Sequence, residues 1–357
     1  MSYTDTIMPQ PSNRVRQQRL SKGWSQAELA RRAGISRAAV SAIEIDRLVP
    51  SVAAALALGE AFGCSVEDLF GEKRAASGEP EWAWPPTQAA GRYWHARVGG
   101  RRVCFPVEAT PAGVVAHDGV YRDGRFTPRD GANAEETLVL ASCDPAAGLL
   151  AAEFGRTTGF RLLVLPRSSG QALELLRRGL VHAAGVHFAG TNETDRNARD
   201  VRAAVGPGHR LLGVADWEEG LAVDPAAGVS TVGGALRARL RWVGREPGSG
   251  ARRCLEELRP TRPAPRRLAR DHRGVAEAVR SGWADVGVCH RLAAEEAGLR
   301  FLPVREEAYD LCYSVASEGD PRLVALVGFV RSARCRRLLG DLPGFAVGRT
   351  GDLRTAV

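Results

Sequence analysis

The chain has 357 residues, 44% of them hydrophobic, with a formal charge of +8 and a sequence pI near 9.5. That length carries two or three domains with sizeable cores, while no run of about 18 apolar residues suggests a membrane span and the first ten residues lack the basic start and apolar core of a signal peptide. The seven cysteines stand apart in sequence, at 64, 104, 143, 254, 289, 312 and 335, so neither a disulfide framework nor a Cys-x-x-Cys metal or redox motif is expected, and a reducing cytoplasm fits. The positive charge suits a nucleic-acid partner, but it is almost all arginine spread along the whole chain and carries little weight alone.

A first helix is expected over residues 13–22, with Val15 and Leu20 apolar. Ser25 then caps a helix, with Glu28 three residues on as in a capping box, and Leu29, Ala30 and Ala33 share one face. Gly34 sits where that helix must end with positive φ. Ser36 caps a second helix that buries Val40 and Ile43 and offers Arg37, Ala38 and Ser41 to solvent. Two helices joined by so short a glycine turn form a helix-turn-helix, whose second helix enters the DNA major groove. Further helices are expected over 51–62 and from Ser65 to about residue 70. The matching residues, among them Arg19, Gly23, Ser25, Gln26, Leu29, Ala33, Gly34, Ser36, Ile43, Glu44, Pro50 and Phe62, resemble the phage-repressor (XRE) type of helix-turn-helix domain. The resemblance implies a five-helix all-α domain over residues 1–71. It places Gln26, Arg37, Ala38 and Ser41 near bases and Ser36 and Arg47 near phosphates.

Residues 72–135 read as a polar linker followed by a small β-rich connector. Trp82 and Trp84 suggest an extended segment that docks, as interface packing rather than as a stacking platform. Gly99-Gly100 and Asp123-Gly124 each separate two alternating runs and predict hairpins. His95 and His117 have no companions at metal-ligand spacing.

After residue 136 the texture alternates between β and α, which predicts parallel sheets covered by helices in two lobes. Separate strands are expected at 211–214 and 221–223, and again at 301–304 and 308–315, with one long helix over 322–339. Ser142, Ser168-Ser169 and Ser249-Gly250 each follow a strand and precede a helix. A single serine there is an N-cap; three in equivalent loops put hydroxyls and free amides at one set of strand ends, an arrangement that suits an anion. No lysine completes a phosphate-binding loop and no Gly-x-Ser-x-Gly elbow is present, so neither nucleotide hydrolysis nor an enzyme is expected.

The motifs Ser142-Cys143-Asp144-Pro145, Ala184-Gly185-Val186-His187, Trp217 with Gly220-Leu221, and Arg245 with Gly248-Ser249-Gly250-x-Arg252 share one pattern. His272 with Val275-Ala276, Glu307-x-Tyr309-Asp310 and Leu342-Pro343-Gly344-Phe345 continue it. Together they resemble the periplasmic-binding-protein-like domain of molybdate-responsive and molybdenum-cofactor-associated proteins. That resemblance implies a two-lobed type II α/β fold over residues 136–357. Lobe one would be about 136–215 plus 305–357, and lobe two about 216–304. The implied ligand is a tetrahedral oxyanion, molybdate or tungstate, held by Ser142, Cys143, Asp144, Ser168, Ser169, Ser249, Gly250, Arg252 and Tyr309. Arg252 reads equally as a ligand contact or as a lobe-internal ion pair, and His272 as the cap of its own helix. Ala251 replaces a common threonine, and the segment 189–199, with Thr191, Asn192 and Asn197, matches loosely. The expectation is a cytoplasmic one-component transcription regulator, a homodimer on double-stranded operator DNA, with a small effector and neither cofactor nor metal. The alternatives are the same architecture sensing an organic metabolite, and an enzyme of molybdenum-cofactor metabolism.

Overall fold

A computed structural model describes residues 13, 15–45, 47–64, 66–70, 80–108, 115–129, 131–190 and 195–356. Ser65, Thr191, Asn192, the first twelve residues and most of the expected linker lie outside the described residues. The chain divides into two compact units, Met1–Ser77 and Gly78–Val357.

The first unit contains α1 (Val15–Ser21), α2 (Gln26–Ala33), α3 (Arg37–Glu44), α4 (Val52–Phe62) and α5 (Val66–Phe70). The Ser25 hydroxyl accepts the Glu28 amide at 3.1 Å and the Ser36 hydroxyl accepts the Ala39 amide at 3.0 Å. These bonds satisfy amides that a helix start leaves open. Gly34 ends α2 at φ 63°, in the left-handed region that a Cβ disfavours. Val15, Leu29, Val40, Ile43, Leu58, Phe62 and Leu69 form the core. Beneath it, buried Glu44 pairs with Arg19 at 2.6 Å and accepts the Gln26 side-chain amide at 2.8 Å.

The second unit opens with β1 (Glu81–Trp82), β2 (Ala90–Val98), β3 (Arg101–Pro106), β4 (Gly119–Arg122) and β5 (Arg125–Pro128), which form a sheet in the order β1-β3-β2-β4-β5. Both hairpins turn on two residues with positive φ, Gly99-Gly100 and Asp123-Gly124, the geometry that matches strand twist. Trp82 packs with Tyr93, Tyr121 and Phe126, and Trp84 packs on Phe105 beneath the Arg167 guanidinium. This sheet shares a hydrophobic core with lobe one of the α/β body: Trp94, Val98 and Phe105 pack with Val139, Leu165, Leu173 and Val186.

The α/β body runs β6 (Thr137–Ser142), α6 (Ala147–Thr158), β7 (Arg161–Pro166), α7 (Ser169–Arg177), β8 (Ala183–Gly190), α8 (Asp195–Val205) and β9 (His209–Val223). Then come α9 (Val232–Arg237), β10 (Trp242–Arg245), α10 (Gly250–Leu258), β11 (Arg267–Ala269), α11 (His272–Arg280), β12 (Val286–His290) and α12 (Arg291–Glu296). The chain closes with β13 (Arg300–Ser314), α13 (Pro321–Arg331), α14 (Ala333–Gly340), β14 (Phe345–Ala346) and β15 (Leu353–Thr355). The sheet order is β11-β10-β12-β9-β13-β8-β6-β7, with β14 and β15 also on β9. Strands β9 and β13 pair antiparallel along their whole length, so each passes through both lobes. In lobe one β13 meets β8; in lobe two β9 meets β12.

Two expectations are corrected here. The runs either side of 216–220 are one strand, as are those either side of 305–307, because the polar residues between them keep their ladder partners across the crossing, with Glu219 and Glu307 buried there. The expected long closing helix is two: Ser332 is extended at ψ 148° and its hydroxyl accepts the Cys335 amide at 3.1 Å, ending one helix and capping the next.

Candidate ligand site between the lobes

The carboxyl ends of β6, β7, β8 and β10 bring the predicted loops together. Gly170 at the start of α7 donates its amide to the Gly248 carbonyl at 3.3 Å. A Cβ on Gly250 would stand 2.4 Å from the His187 carbonyl oxygen, so α10 abuts β8 only because residue 250 is glycine. A Cβ on Gly185 would likewise strike the Ser142 and Tyr309 hydroxyls, at 2.5 and 2.7 Å. Arg273 reaches across to the Pro145 carbonyl and Arg253 pairs with Asp200, so the lobes meet. At their edge lies a cavity of about 390 Å³ lined by Pro166, Arg167 and Gln171 from lobe one and Glu246, Ala269 and Arg270 from lobe two.

The serines serve different ends. Ser142 is the last residue of β6, not the start of α6; its hydroxyl is 2.7 Å from the Tyr309 hydroxyl and accepts the Asp144 amide at 3.1 Å. Asp144 supplies the turn into α6 by accepting the Ala146 amide at 2.8 Å, and its other oxygen is buried with no hydrogen-bond partner. Ser168 and Ser169 are fully buried. The Ser169 hydroxyl accepts the His187 amide at 3.2 Å, whereas Ser168 forms a capping box with Gln171 at the start of α7. Ser249 donates to the Glu246 carbonyl at 3.0 Å and accepts the Arg252 amide at 3.2 Å, so its hydroxyl is committed to its own turn. Arg252 pairs with Glu256 at 2.6 Å and reaches the Arg245 carbonyl, both within lobe two. Asp271, not His272, caps α11.

Other groups meet motif residues at the same place, and of these Glu219, His290 and Arg305 lay outside the sequence motifs. Arg245, 1% exposed, lies against Glu246 at 3.2 Å and leaves Nη1 buried without a partner. Trp217 stacks on Tyr309, with ring centroids 4.5 Å apart, and lies edge-on to His187, His272 and His290. Cys143 Sγ is 3.1 Å from His187 Nε2 and 4.0 Å from His272 Nε2. His187 Nδ1 is 2.7 Å from Glu307, and Arg305 holds both Glu307 and Glu219. Burial pushes the Asp144 carboxyl up to about 7. Burial, with the Glu307 charge beside it, pushes Glu219 up to about 8. Burial, with Arg245 nearby, holds His272 neutral, well below the ordinary histidine range.

A PBP superfamily domain matches residues 151–331, just over half of the chain. The chain belongs to the PBP superfamily. A helix-turn-helix domain matches residues 15–69, ahead of the PBP-like body. Over 124 residues the chain is 33% identical to the uncharacterized protein YvgK of Bacillus subtilis (strain 168), an alignment covering 33% of this chain and only 40% of that relative. Over 58 residues it is 40% identical to the uncharacterized HTH-type transcriptional regulator YgzD of the same organism, covering 16% of this chain and 88% of that one. Among solved structures it is similar to the tungstate ABC transporter from Geobacter sulfurreducens, with 18% identity, a TM-score of 0.46, and coverage of 58% of this chain and 100% of that one. A helix-turn-helix joined to a PBP-like ligand-binding domain fits a ligand-responsive transcription regulator.

In the first unit, Arg37, Ala38 and Arg47 are exposed and Ser41 is half-buried, whereas Ser36 and Gln26 spend a side-chain atom on the Ala39 amide and on Glu44. No helix among the described residues is long and apolar enough to cross a membrane.

Proposed function

We propose that the chain is a cytoplasmic, non-catalytic regulator that binds operator DNA as a homodimer and takes a small oxyanion, molybdate or tungstate, between its lobes. The observation that carries this reading is Arg245. A guanidinium 1% exposed, with one nitrogen facing no acceptor, is a costly arrangement unless a ligand supplies the missing oxygen. The nearby starts of α7 and α10 add backbone amides at the positive ends of helices. An organic acid would satisfy the same donors through its carboxylate, and is the second reading.

The test is thermal melting with and without oxyanion. A ligand at 100 times its dissociation constant that binds only the folded state adds about 2.7 kcal/mol, about 5–10 °C for a domain of this size. Molybdate or tungstate should give that shift, and Arg245→Ala should abolish it. Unchanged melting and operator affinity in millimolar molybdate and tungstate would rule out the oxyanion and leave the organic acid.

A further inference from the structure

We propose that Cys143, His187 and His272 bind one thiophilic metal ion, zinc(II) first among candidates, and that the ion bridges the two lobes. The three ligating atoms lie within 4.8 Å of one another, and all three residues are buried. Ordinary Zn–S and Zn–N bonds at a tetrahedral angle set sulfur and nitrogen about 3.6 Å apart. The Cys143 sulfur stands 3.1 and 4.0 Å from the two imidazole nitrogens, on either side of that value. One thiolate with two imidazoles is a borderline-soft set that prefers zinc(II) or copper(I) to magnesium or calcium.

The surroundings orient the ligands. Glu307, a carboxylate held by Arg305, accepts a hydrogen bond from the His187 Nδ1–H at 2.7 Å. That leaves the Nε2 lone pair facing Cys143, the carboxylate–histidine arrangement common behind zinc. His272 Nδ1 accepts the His290 amide at 3.2 Å; ligation through Nε2 moves the ring proton to Nδ1, so the His272 ring must turn that N–H away from the His290 amide as the metal bonds, and only His187 is held ready beforehand. The other cluster, His187 with Glu219 and Glu307, has its carboxylates already paired with Arg305 and is not chosen.

Cys143 and His187 belong to lobe one, and His272 opens α11 in lobe two, so an ion bonded to all three fastens the lobes together. One thiolate and two neutral imidazoles leave a divalent ion with a net charge of +1. It therefore adds to the attraction of Arg245 for an anion. The inference goes beyond the oxyanion reading and does not rest on it.

The experiment uses the full chain, reduced and stripped of metal, titrated with cobalt(II) with no oxyanion present. One equivalent should produce sulfur-to-cobalt charge-transfer absorption in the near ultraviolet and strong tetrahedral bands in the visible, and zinc should displace both. Cys143→Ser should remove the charge-transfer band. His272→Ala should weaken zinc binding by about 10–100-fold, with the far-ultraviolet circular dichroism unchanged in each. Absence of the band in the native chain, or its persistence in Cys143→Ser through another cysteine, overturns the proposal. If Cys143→Ser does not fold, His272→Ala decides: unchanged zinc affinity overturns it equally. Because cobalt and zinc are the only probes, failure of the oxyanion reading leaves this result standing, and the reverse also holds.

Discussion

His182 shows how one buried group makes stability depend on pH. Its Nδ1 accepts the Val139 amide at 2.9 Å and its Nε2 meets the Arg97 carbonyl at 2.9 Å, so the neutral ring is satisfied on both sides. A second proton would put an N–H against the Val139 N–H. Burial, with Arg322 nearby, pushes the group down to about 4, although Asp320 works the other way. The unfolded chain therefore binds this proton first as pH falls. The stabilisation is complete above pH 6.5 and is lost as pH falls toward 4, about 3 kcal/mol over that window. Urea denaturation at successive pH values should show that slope, and His182→Asn, which keeps an acceptor for the Val139 amide, should flatten it. Equal slopes in both proteins would refute the assignment.

Among the elements, the legible ones were those whose ends carry their own chemistry. Ser25, Ser36 and Gly34 bound the helix-turn-helix, and Gly99-Gly100 and Asp123-Gly124 bound the hairpins, because caps and tight turns depend on residues next to one another. The continuity of β9 and β13 was not legible, since charged residues at 218–219 and 305–307 read as loop until the facing strand pairs them inside the sheet. The site was legible in part for the same reason. Serines after strands stand out locally, whereas Arg245 and the meeting of Cys143, His187 and His272 depend on residues far apart in sequence. Gly250 makes the dependence on packing testable. An alanine there must push α10 away from the His187 carbonyl, at about 1–3 kcal/mol for overpacking, and should abolish any ligand-induced melting shift while the circular dichroism stays native. A Gly250→Ala protein with an unaltered shift would show that the α10–β8 approach does not form the site.

At the scale of the whole molecule, regulation requires that effector and DNA each change the other's affinity by the same factor. A two-fold pair of short recognition helices spans half-sites about 34 Å apart, and Arg37→Ala should weaken specific binding by about 1–3 kcal/mol if Arg37 reads a guanine edge. Protection mapping would expose a single half-site, and equal loss on random DNA would make Arg37 a phosphate contact instead. The shared core between the five-stranded sheet and lobe one has a mechanical consequence. Arg161 grips Asp118, Arg101 reaches the Gly179 carbonyl and Arg322 reaches the Arg97 carbonyl, so sheet and lobe one make a single stator. Strands β9 and β13 run on from this stator into lobe two, so any rotation of lobe two against it would have to twist them as a pair of torsion bars. The chain enters this unit at β1, on the stator side. A rotation of lobe two about these strands would leave the five-stranded sheet, and with it β1, in place.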